Sequence, residues 1–443
     1  MPRYKDNDFL HSSVKFEPYW WEEFRPVDCI ASTLPAQVDV AIIGGGYGGL
    51  GAARMLSDLG FSSVVLESGQ FGSGASTRSG GAISAGLSIG KSFTGRSLGF
   101  PQEIVSTIVQ WAKDAFIHVQ ELVEQEGIAC HFEKRGRFLG ACAPSHYEAL
   151  RDRESKLKAS GVSGCYLVPR EQQANEINSD YYHGGMVFDD AGKLHPALFY
   201  GGLLDACRRR NSIVLSSQNR ALSLQHRGAG WEVQSEQGVV RARHVFVATN
   251  GYTGPLVPPL RRRLIPVASN VIATEELPPD LAAFISPKGR TFSETRRLMH
   301  YYRISPDGKR VIFGGRTRFR HVPQEEHARI LHAELTRRFP VLREIKVTHA
   351  WQGNVAFTSD SLPHAGELGG IHYAVGCNGS GVSMMPFLGA MVAMRIAGRL
   401  HGRLPFGDLQ MRAFPMYNGV PWFLPAAEGY FRVMDFLDER VGR

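Results

Sequence analysis

The sequence predicts an α/β chain, α+β overall, in two domains: one around a parallel sheet, the other around an antiparallel sheet. Three observations lead there. The β-branched run VDVAII at 38–43 passes through GGGYGG into the helical pattern LGAARML, so a buried strand feeds a glycine turn and then a helix. A second apolar strand, Val64-Val65-Leu66, comes once Gly60 has closed that helix, which is the order of a parallel strand–helix–strand unit. From 260 to 320, by contrast, segments such as PVASNVIATEEL and RVIFGGR alternate as half-buried strands do. The chain has 443 residues, more than one core ordinarily serves.

Composition narrows the class. Hydrophobic residues make up 43% and charged residues 21%, ordinary globular usage. The net charge of +8 leaves nucleic acid, a membrane surface or an anionic ligand open. Its basic clusters, Arg208-Arg209-Arg210 and Arg261-Arg262-Arg263, are short, carry no nucleic-acid-reading motif and read as solvated surface. Six cysteines (Cys29, Cys130, Cys142, Cys165, Cys207, Cys377) form no CxxC pair, so neither a metal site nor a disulfide framework is expected, and a reducing compartment fits. The first forty residues lack an apolar signal core, and no run reaches the ~18 apolar residues of a membrane helix. A soluble, cytoplasmic protein with no membrane span and no nucleic-acid partner is expected.

The glycine turn carries the first chemistry. Gly44, Gly46 and Gly49 stand at the three positions of a GxGxxG fingerprint, with Tyr47 and Gly48 between them. In such a turn the first glycine allows the bend, the second lets the backbone approach a pyrophosphate, and the third lets helix and strand pack closely. Glu67 ends the second strand, eighteen residues past Gly49, where a carboxylate accepts hydrogen bonds from ribose hydroxyls. A carboxylate there argues against a 2′-phosphate. The fingerprint alone does not separate NAD from FAD.

The segment after Glu67 separates them. It reads SGQFGSGASTRSGGAISAG, a small-residue loop able to wind against a large planar cofactor. Here the sequence resembles the FAD-dependent oxidoreductases of the D-amino-acid oxidase superfamily, nearest to the gamma-glutamylputrescine oxidoreductase-like branch, whose wording is GASGRNGG where this chain has GASTRSGG. Further segments resemble that branch in order: FEPYWWEE before the first strand, DDAGKLHPAL at 189–198, HVFVATNGYTGPL, LMHYYRISPDGKRVIFGGR at 298–316, and a closing block through GCNGSGVSMMPFLGAMVA. That last block also reads unaided as a strand at 371–375, a glycine turn at 376–381 and an apolar helix at 382–400.

The resemblance implies a Rossmann-like FAD-binding domain with an antiparallel-sheet substrate domain, of the glutathione-reductase/D-amino-acid-oxidase type. The implied layout is an extension at 1–37, an FAD-binding domain from 38–98, 186–256 and 346–403, a substrate domain from 99–185 and 257–345, and a tail at 404–443. Besides the fingerprint residues and Glu67, it implies FAD contacts from Ser68, Gly74, Ala75, Ser76, Arg78, Ser79, Gly80, Gly81, Asn378, Gly379, Ser380, Gly381 and Val382. Gly353-Asn354-Val355 carries none of the cysteine by which sarcosine oxidases hold flavin, so FAD is expected to be non-covalent. Cys377 reads as a small packing residue.

The implied activity is oxidation of an amine by hydride transfer from the carbon beside nitrogen to flavin N5, giving an imine that water hydrolyses. Amino-acid oxidases of this superfamily clamp an α-carboxylate with an arginine, one of them shortly before the TxD stretch; this chain has Asn354-Val355-Ala356-Phe357 there. The expectation is therefore an amine other than an α-amino acid: a putrescine derivative, an N-methylated amine or an ω-amino acid. His300, Tyr302, Arg303 and Trp351 are the candidate catalytic residues: Trp351, His300 and Tyr302, together with Tyr301, as walls that desolvate an amine or as ordinary core, His300 as a proton acceptor near neutral pH, and Arg303, with Arg316, as an anchor for a distal anion or a partner within the sheet or near the flavin phosphates. Oxygen, a quinone or a carrier protein is the expected electron acceptor. A D-amino-acid or glycine-type oxidase, an NAD-linked dehydrogenase and a flavin-binding protein without activity are the alternatives.

Overall fold

The computed structural model describes residues 8–31, 33–84, 99–159, 161–319, 322–407 and 409–441. Two sheets organise them. The first runs Ala221–Arg227, Gly230–Ser235, Gly238–Val247, Gln37–Ile43, Ser63–Leu66, Ile213–Ser216, with Ile371–Val375 joined to Gly238–Val247 and His364–Leu368 joined to that strand in turn. Its centre is parallel: Gln37–Ile43 pairs in parallel with both Ser63–Leu66 and Gly238–Val247. Val40, Ile42 and Val65 are fully buried there, as near-continuous apolar strands require.

Helices Tyr47–Asp58 and Gly381–Ile396 cross on one face of this sheet. Small residues set their separation: a Cβ on Gly389 would stand 2.1 Å from the carbonyl oxygen of Gly48, and one on Gly51 would stand 2.8 Å from that of Pro386. Both helices begin at the same end of the sheet, so their N-termini converge.

The second sheet has nine strands in the order Leu10–Lys15, Val347–Phe357, Ile265–Thr274, Val311–Gly315, His300–Ile304, Thr291–Glu294, Arg137–Gly140, Gly185–Phe188, Cys165–Val168. It is mainly antiparallel, with two parallel pairs, Leu10–Lys15 on Val347–Phe357 and Thr291–Glu294 on Arg137–Gly140. The expected layout groups 346–403 and 186–256 with the cofactor domain; hydrogen bonding ties Val347–Phe357 and Gly185–Phe188 to this second sheet instead, and the strand Leu10–Lys15 of the N-terminal extension adds to its edge. Helix Gln102–Glu126 is amphipathic, with Ile108, Ala112, Ala115, Phe116, Val119 and Leu122 buried at helical spacing.

Behind the nine-stranded sheet lies a charged core. Glu294 and Arg338 are both buried and meet at 2.7 Å, and His300 Nδ1 sits 2.8 Å from Glu294 Oε1. Burial alone would raise the Glu294 carboxyl, but Arg338 and His300 outweigh it and hold the group well below the usual carboxylate range. Tyr302 stacks on Phe292 and Phe313 in the same layer. Among the described residues no helix is long and apolar enough to cross a membrane, and no cluster of His, Cys, Asp and Glu is arranged to hold a metal.

Candidate active site

A cavity of about 950 Å³ lies between the two sheets. Four walls enclose it, and each has its origin in local sequence.

The glycine turn makes the first. Gly44 has φ +103°, open to glycine and strained for other residues, and its N–H donates to the carbonyl of Leu66 at 2.9 Å. A Cβ on Gly49 would fall 1.9 Å from the Gly44 carbonyl oxygen, so helix and turn approach too closely for a side chain. Helix Tyr47–Asp58 starts at Gly46 without a side-chain cap. Glu67 is fixed beside it, accepting from the N–H of Gly45 at 2.8 Å and of Gly69 at 3.1 Å.

The small-residue loop makes the second wall, and the N-terminal tryptophans hold it. Trp20 Nε1 donates to the Ser79 carbonyl (2.7 Å), Trp21 Nε1 to Thr77 Oγ1 (3.0 Å), and Trp351 Nε1 to the Arg78 carbonyl (2.8 Å). The guanidinium of Arg78 lies 4.6 Å from the Trp21 ring centre, and its Nε donates to the Ser73 carbonyl at 2.9 Å. Thr77, where the resembled branch has glycine, is fully buried and closes the loop by donating to the Gly72 carbonyl at 2.6 Å.

Turn 376–381 and helix Gly381–Ile396 make the third. Asn378 takes φ +48°, accepts from the Thr358 N–H at 3.1 Å and donates to the Gly376 carbonyl at 2.5 Å. Asn250 supports the turn by accepting from the Gly376 N–H at 2.9 Å. This helix also begins without a side-chain cap, and Cys377 faces the cavity from the turn.

The nine-stranded sheet is the roof. Ser269, Thr291, Ser293, Tyr301, Arg137 and Arg316 line it. Tyr301 and Ser269 join through their hydroxyls at 3.1 Å, and a Cβ on Gly80 would touch the Tyr301 ring at 2.7 Å, which places Tyr301 directly against the small-residue loop. Arg316 lies 4.4 Å over Phe357 and makes no ion pair among the described residues; burial lowers its pKa to about 10.

Of the expected cofactor residues, all but Gly49 line the cavity; Gly49 packs behind the turn. The four candidate catalytic residues are placed otherwise. His300 and Tyr302 point to the charged core, since neighbours along a strand face opposite ways and Tyr301 takes the cavity face. Arg303 is buried, with Nη1 donating to the carbonyls of Leu194 (2.7 Å) and Gly81 (3.2 Å), so it braces the loop from behind. Trp351 braces the same loop at Arg78. Of the aromatic walls the sequence suggests, Tyr301 alone lines the cavity, and the sequence reading misses Ser269, Thr291, Ser293, Arg137, Asn250 and the 249–252 segment as wall residues. The strand alternation around Tyr301 is the one signal able to single it out.

The cradle fits FAD. Two helix N-termini meet the cavity with cap residues that make no side-chain cap bond; Ser76 Oγ takes the Tyr47 N–H at 3.1 Å, the other first-turn N–H groups are available to an anionic pyrophosphate and to the electron-rich edge of a flavin, and Gly44, Gly45 and Gly46 put no Cβ in the way. The site therefore defines a dinucleotide-dependent redox enzyme. The chain belongs to the DAO family, FAD dependent oxidoreductase, whose model matches residues 39–395. It is 28% identical over 395 residues to gamma-glutamylputrescine oxidoreductase of Escherichia coli K12, covering 89% of this chain and 91% of that one. It is 27% identical to the probable oxidoreductase OrdL of Rhizobium meliloti, covering 89% and 92%. Its fold is that of glycine oxidase from Geobacillus kaustophilus (TM-score 0.70, 18% identity, 84% of this chain and 98% of that one) and of L-proline dehydrogenase from P. horikoshii (TM-score 0.69, 19% identity, 84% and 96%). The protein is an FAD-dependent amine or amino-acid oxidoreductase.

Proposed function

We propose that the protein oxidises the C–N bond of an amine other than an α-amino acid, such as a putrescine derivative, an N-methylated amine or an ω-amino acid, to an imine that water hydrolyses. One observation carries the reading: strand Val347–Phe357 lines the cavity through Gly353, Asn354, Val355 and Phe357, none of them a cation. An α-carboxylate against that strand would lack a bidentate, charge-assisted partner. A relative named for gamma-glutamylputrescine supports the same class.

Bound FAD supplies the hydride acceptor, N5 of its isoalloxazine. The chain supplies the rest. Tyr301, Met299 and Phe357 give an apolar wall that excludes water and favours an unprotonated amine. The Ser269–Tyr301 hydrogen bond fixes the ring that orients the substrate. The uncapped N-terminus of helix Gly381–Ile396 stabilises negative charge in the cavity by about 1 kcal/mol.

Arg316 favours a second reading. Its guanidinium has no carboxylate partner among the described residues and reaches Phe357 from the end of strand Val311–Gly315, two strands over, so an α-carboxylate at that wall would find a cation there. Anaerobic visible spectra of the purified holoprotein, titrated with amines and with D- and L-α-amino acids, decide between the two. Bleaching by a non-α amine alone supports the first reading, and bleaching by α-amino acids refutes it. A flavin that neither class reduces refutes both and leaves a flavin-binding protein without amine chemistry. Re-oxidation of the bleached sample by oxygen or only by a quinone then assigns the acceptor.

A further inference from the structure

The roof holds a second polar group, separate from Tyr301 and Arg316. Strands Arg137–Gly140 and Thr291–Glu294 pair in parallel with Arg137 opposite Thr291, so those two side chains share a face, and Ser293 joins them two residues on. All three line the cavity. Thr291 is 2% exposed and Ser293 7%. Thr291 Oγ1, Ser293 Oγ and Arg137 Nε are sealed from solvent, and none of the three atoms has a hydrogen-bond partner among the described residues.

The charge on Arg137 is equally unanswered. Its guanidinium lies 4.8 Å from the Phe188 ring centre and pairs with no carboxylate among the described residues. The charge felt there is that of Arg153, which lies over the same ring at 5.6 Å. Burial first, and Arg153 second, lower the Arg137 pKa to about 10. Buried hydroxyls normally find partners, and a cation partly buried in a cavity wall normally finds a counter-charge; these three groups, on one face of adjacent strands, find neither among the described residues, and an anion would complete them.

We infer that Arg137, Thr291 and Ser293 form a subsite for a carboxylate at the end of the substrate remote from the reacting nitrogen. The guanidinium fork matches the two oxygens of a carboxylate, and the two hydroxyls donate to its remaining lone pairs. Register makes the subsite remote. Ser293 stands opposite Tyr301 and marks the near edge of the subsite, while Arg137, its charged end, is one strand further and two residues along, about 12 Å from Tyr301 backbone to backbone by sheet spacing. The inference rests on the amine-oxidising reading and narrows it to amines that carry a carboxylate several methylenes away; a short N-methylated amine would not reach.

The test uses the holoprotein and two series of equal length, straight-chain ω-amino carboxylates and α,ω-diamines, with anaerobic flavin reduction as the readout. The expected half-saturating concentration passes through a minimum at one ω-amino carboxylate length, at least about tenfold below the matching diamine. Arg137→Gln should raise that value about 10- to 100-fold and leave the limiting rate within about twofold, Arg137→Lys should recover part of the loss, and Thr291→Val should fall between. Unchanged half-saturation in Arg137→Gln overturns the subsite. Calorimetric titration with glutarate needs no turnover and separates the two readings. Glutarate binding that is lost in Arg137→Gln, in a protein whose flavin no amine reduces, sinks the amine chemistry and keeps the anion subsite. Binding that survives Arg137→Gln and disappears in Arg316→Gln assigns the anion to the wrong arginine and refutes the inference.

Discussion

Substituting alanine at either of two adjacent glycines should separate the cofactor cradle from ordinary helix packing. In Gly49→Ala the new Cβ falls 1.9 Å from the Gly44 carbonyl oxygen and 3.1 Å from its carbon, both backbone atoms of the turn. Cβ contacts below 3.0 Å are essentially never tolerated, so the turn must retreat by more than 1 Å, and Gly44 cannot move without displacing the N–H groups that face the cavity. Overpacking of this kind costs about 1–3 kcal/mol. If the shift falls on the holo state alone, FAD affinity drops about 5- to 150-fold. In Gly48→Ala the nearest atom is the Met385 Cε at 3.2 Å, the free end of a flexible side chain, and a helix gains up to about 1 kcal/mol when glycine becomes alanine. FAD titrations of the two apo-proteins, monitored by quenching of flavin fluorescence, give the comparison. Gly48→Ala should bind within a few-fold of the parent and Gly49→Ala should lose most of its flavin on purification. Equal affinities in the two variants would show that the turn does not transmit the clash to the cofactor, and the account of the cradle would be wrong.

The same structure sets three further outcomes. His195 is fully buried, accepts from the Leu198 N–H at 3.1 Å as the cap of helix Pro196–Arg208, and is held neutral by burial and then by Arg303, its pKa lowered to about 3. The unfolded chain takes up the proton first as pH falls below about 6.5, so the stability from neutral His195 is complete above that pH and is progressively lost toward pH 3; Glu23 Oε1, 3.2 Å from His195 Nε2, offers the incoming proton a carboxylate and makes the loss smaller than burial alone would give. His195→Asn, which retains a capping oxygen, should narrow the melting-temperature gap between pH 8 and pH 5; an unchanged gap refutes the assignment. Glu294→Gln leaves the buried Arg338 cation with Glu334, 2.8 Å away, as its remaining carboxylate and should destabilise the protein by up to about 3 kcal/mol, while Glu294→Gln with Arg338→Met should recover much of the loss in thermal unfolding. Asn378→Ala loses side-chain bonds to Thr358 and Gly376 at a left-handed residue; FAD should bind about tenfold more weakly, and Asn378→Gly, which relieves only the backbone, should recover part of this in the same titration.

What the sequence discloses and what it withholds divide along a physical line. The cradle is legible because contacts within a few residues demand small side chains: Gly44, Gly46 and Gly49 lie within six positions, and Gly44 answers the positive φ of the turn while Gly49 answers its close approach to the Gly44 carbonyl. The LHP triplet of 194–196 is local in the same way, a buried leucine, a capping histidine and a proline at the first helical position. FEPYWWEE is not local. Its tryptophans are explained only by partners at Thr77 and Ser79, more than fifty residues on. The roof is further from reach, because a strand shows one face or the other according to register, and one residue of slip exchanges them. His300 and Tyr302 carry the polar groups that reading in sequence favours for chemistry, yet the pleat gives the cavity Tyr301 and gives those two to Glu294, Tyr182 and Phe313. Arg137 and Thr291 stand 154 positions apart and meet only through strand pairing, so no spacing rule joins them. Specificity in this chain therefore sits where long-range register decides, on a roof whose strands are recruited from residues 10 to 357, while the cofactor sits where short-range sterics decide. The same division predicts which variants change the substrate with the flavin left in place: those on the roof at Arg137, Thr291, Ser293 and Arg316, none of which touches the glycine turn, the small-residue loop or the 376–381 turn through any hydrogen bond among the described residues.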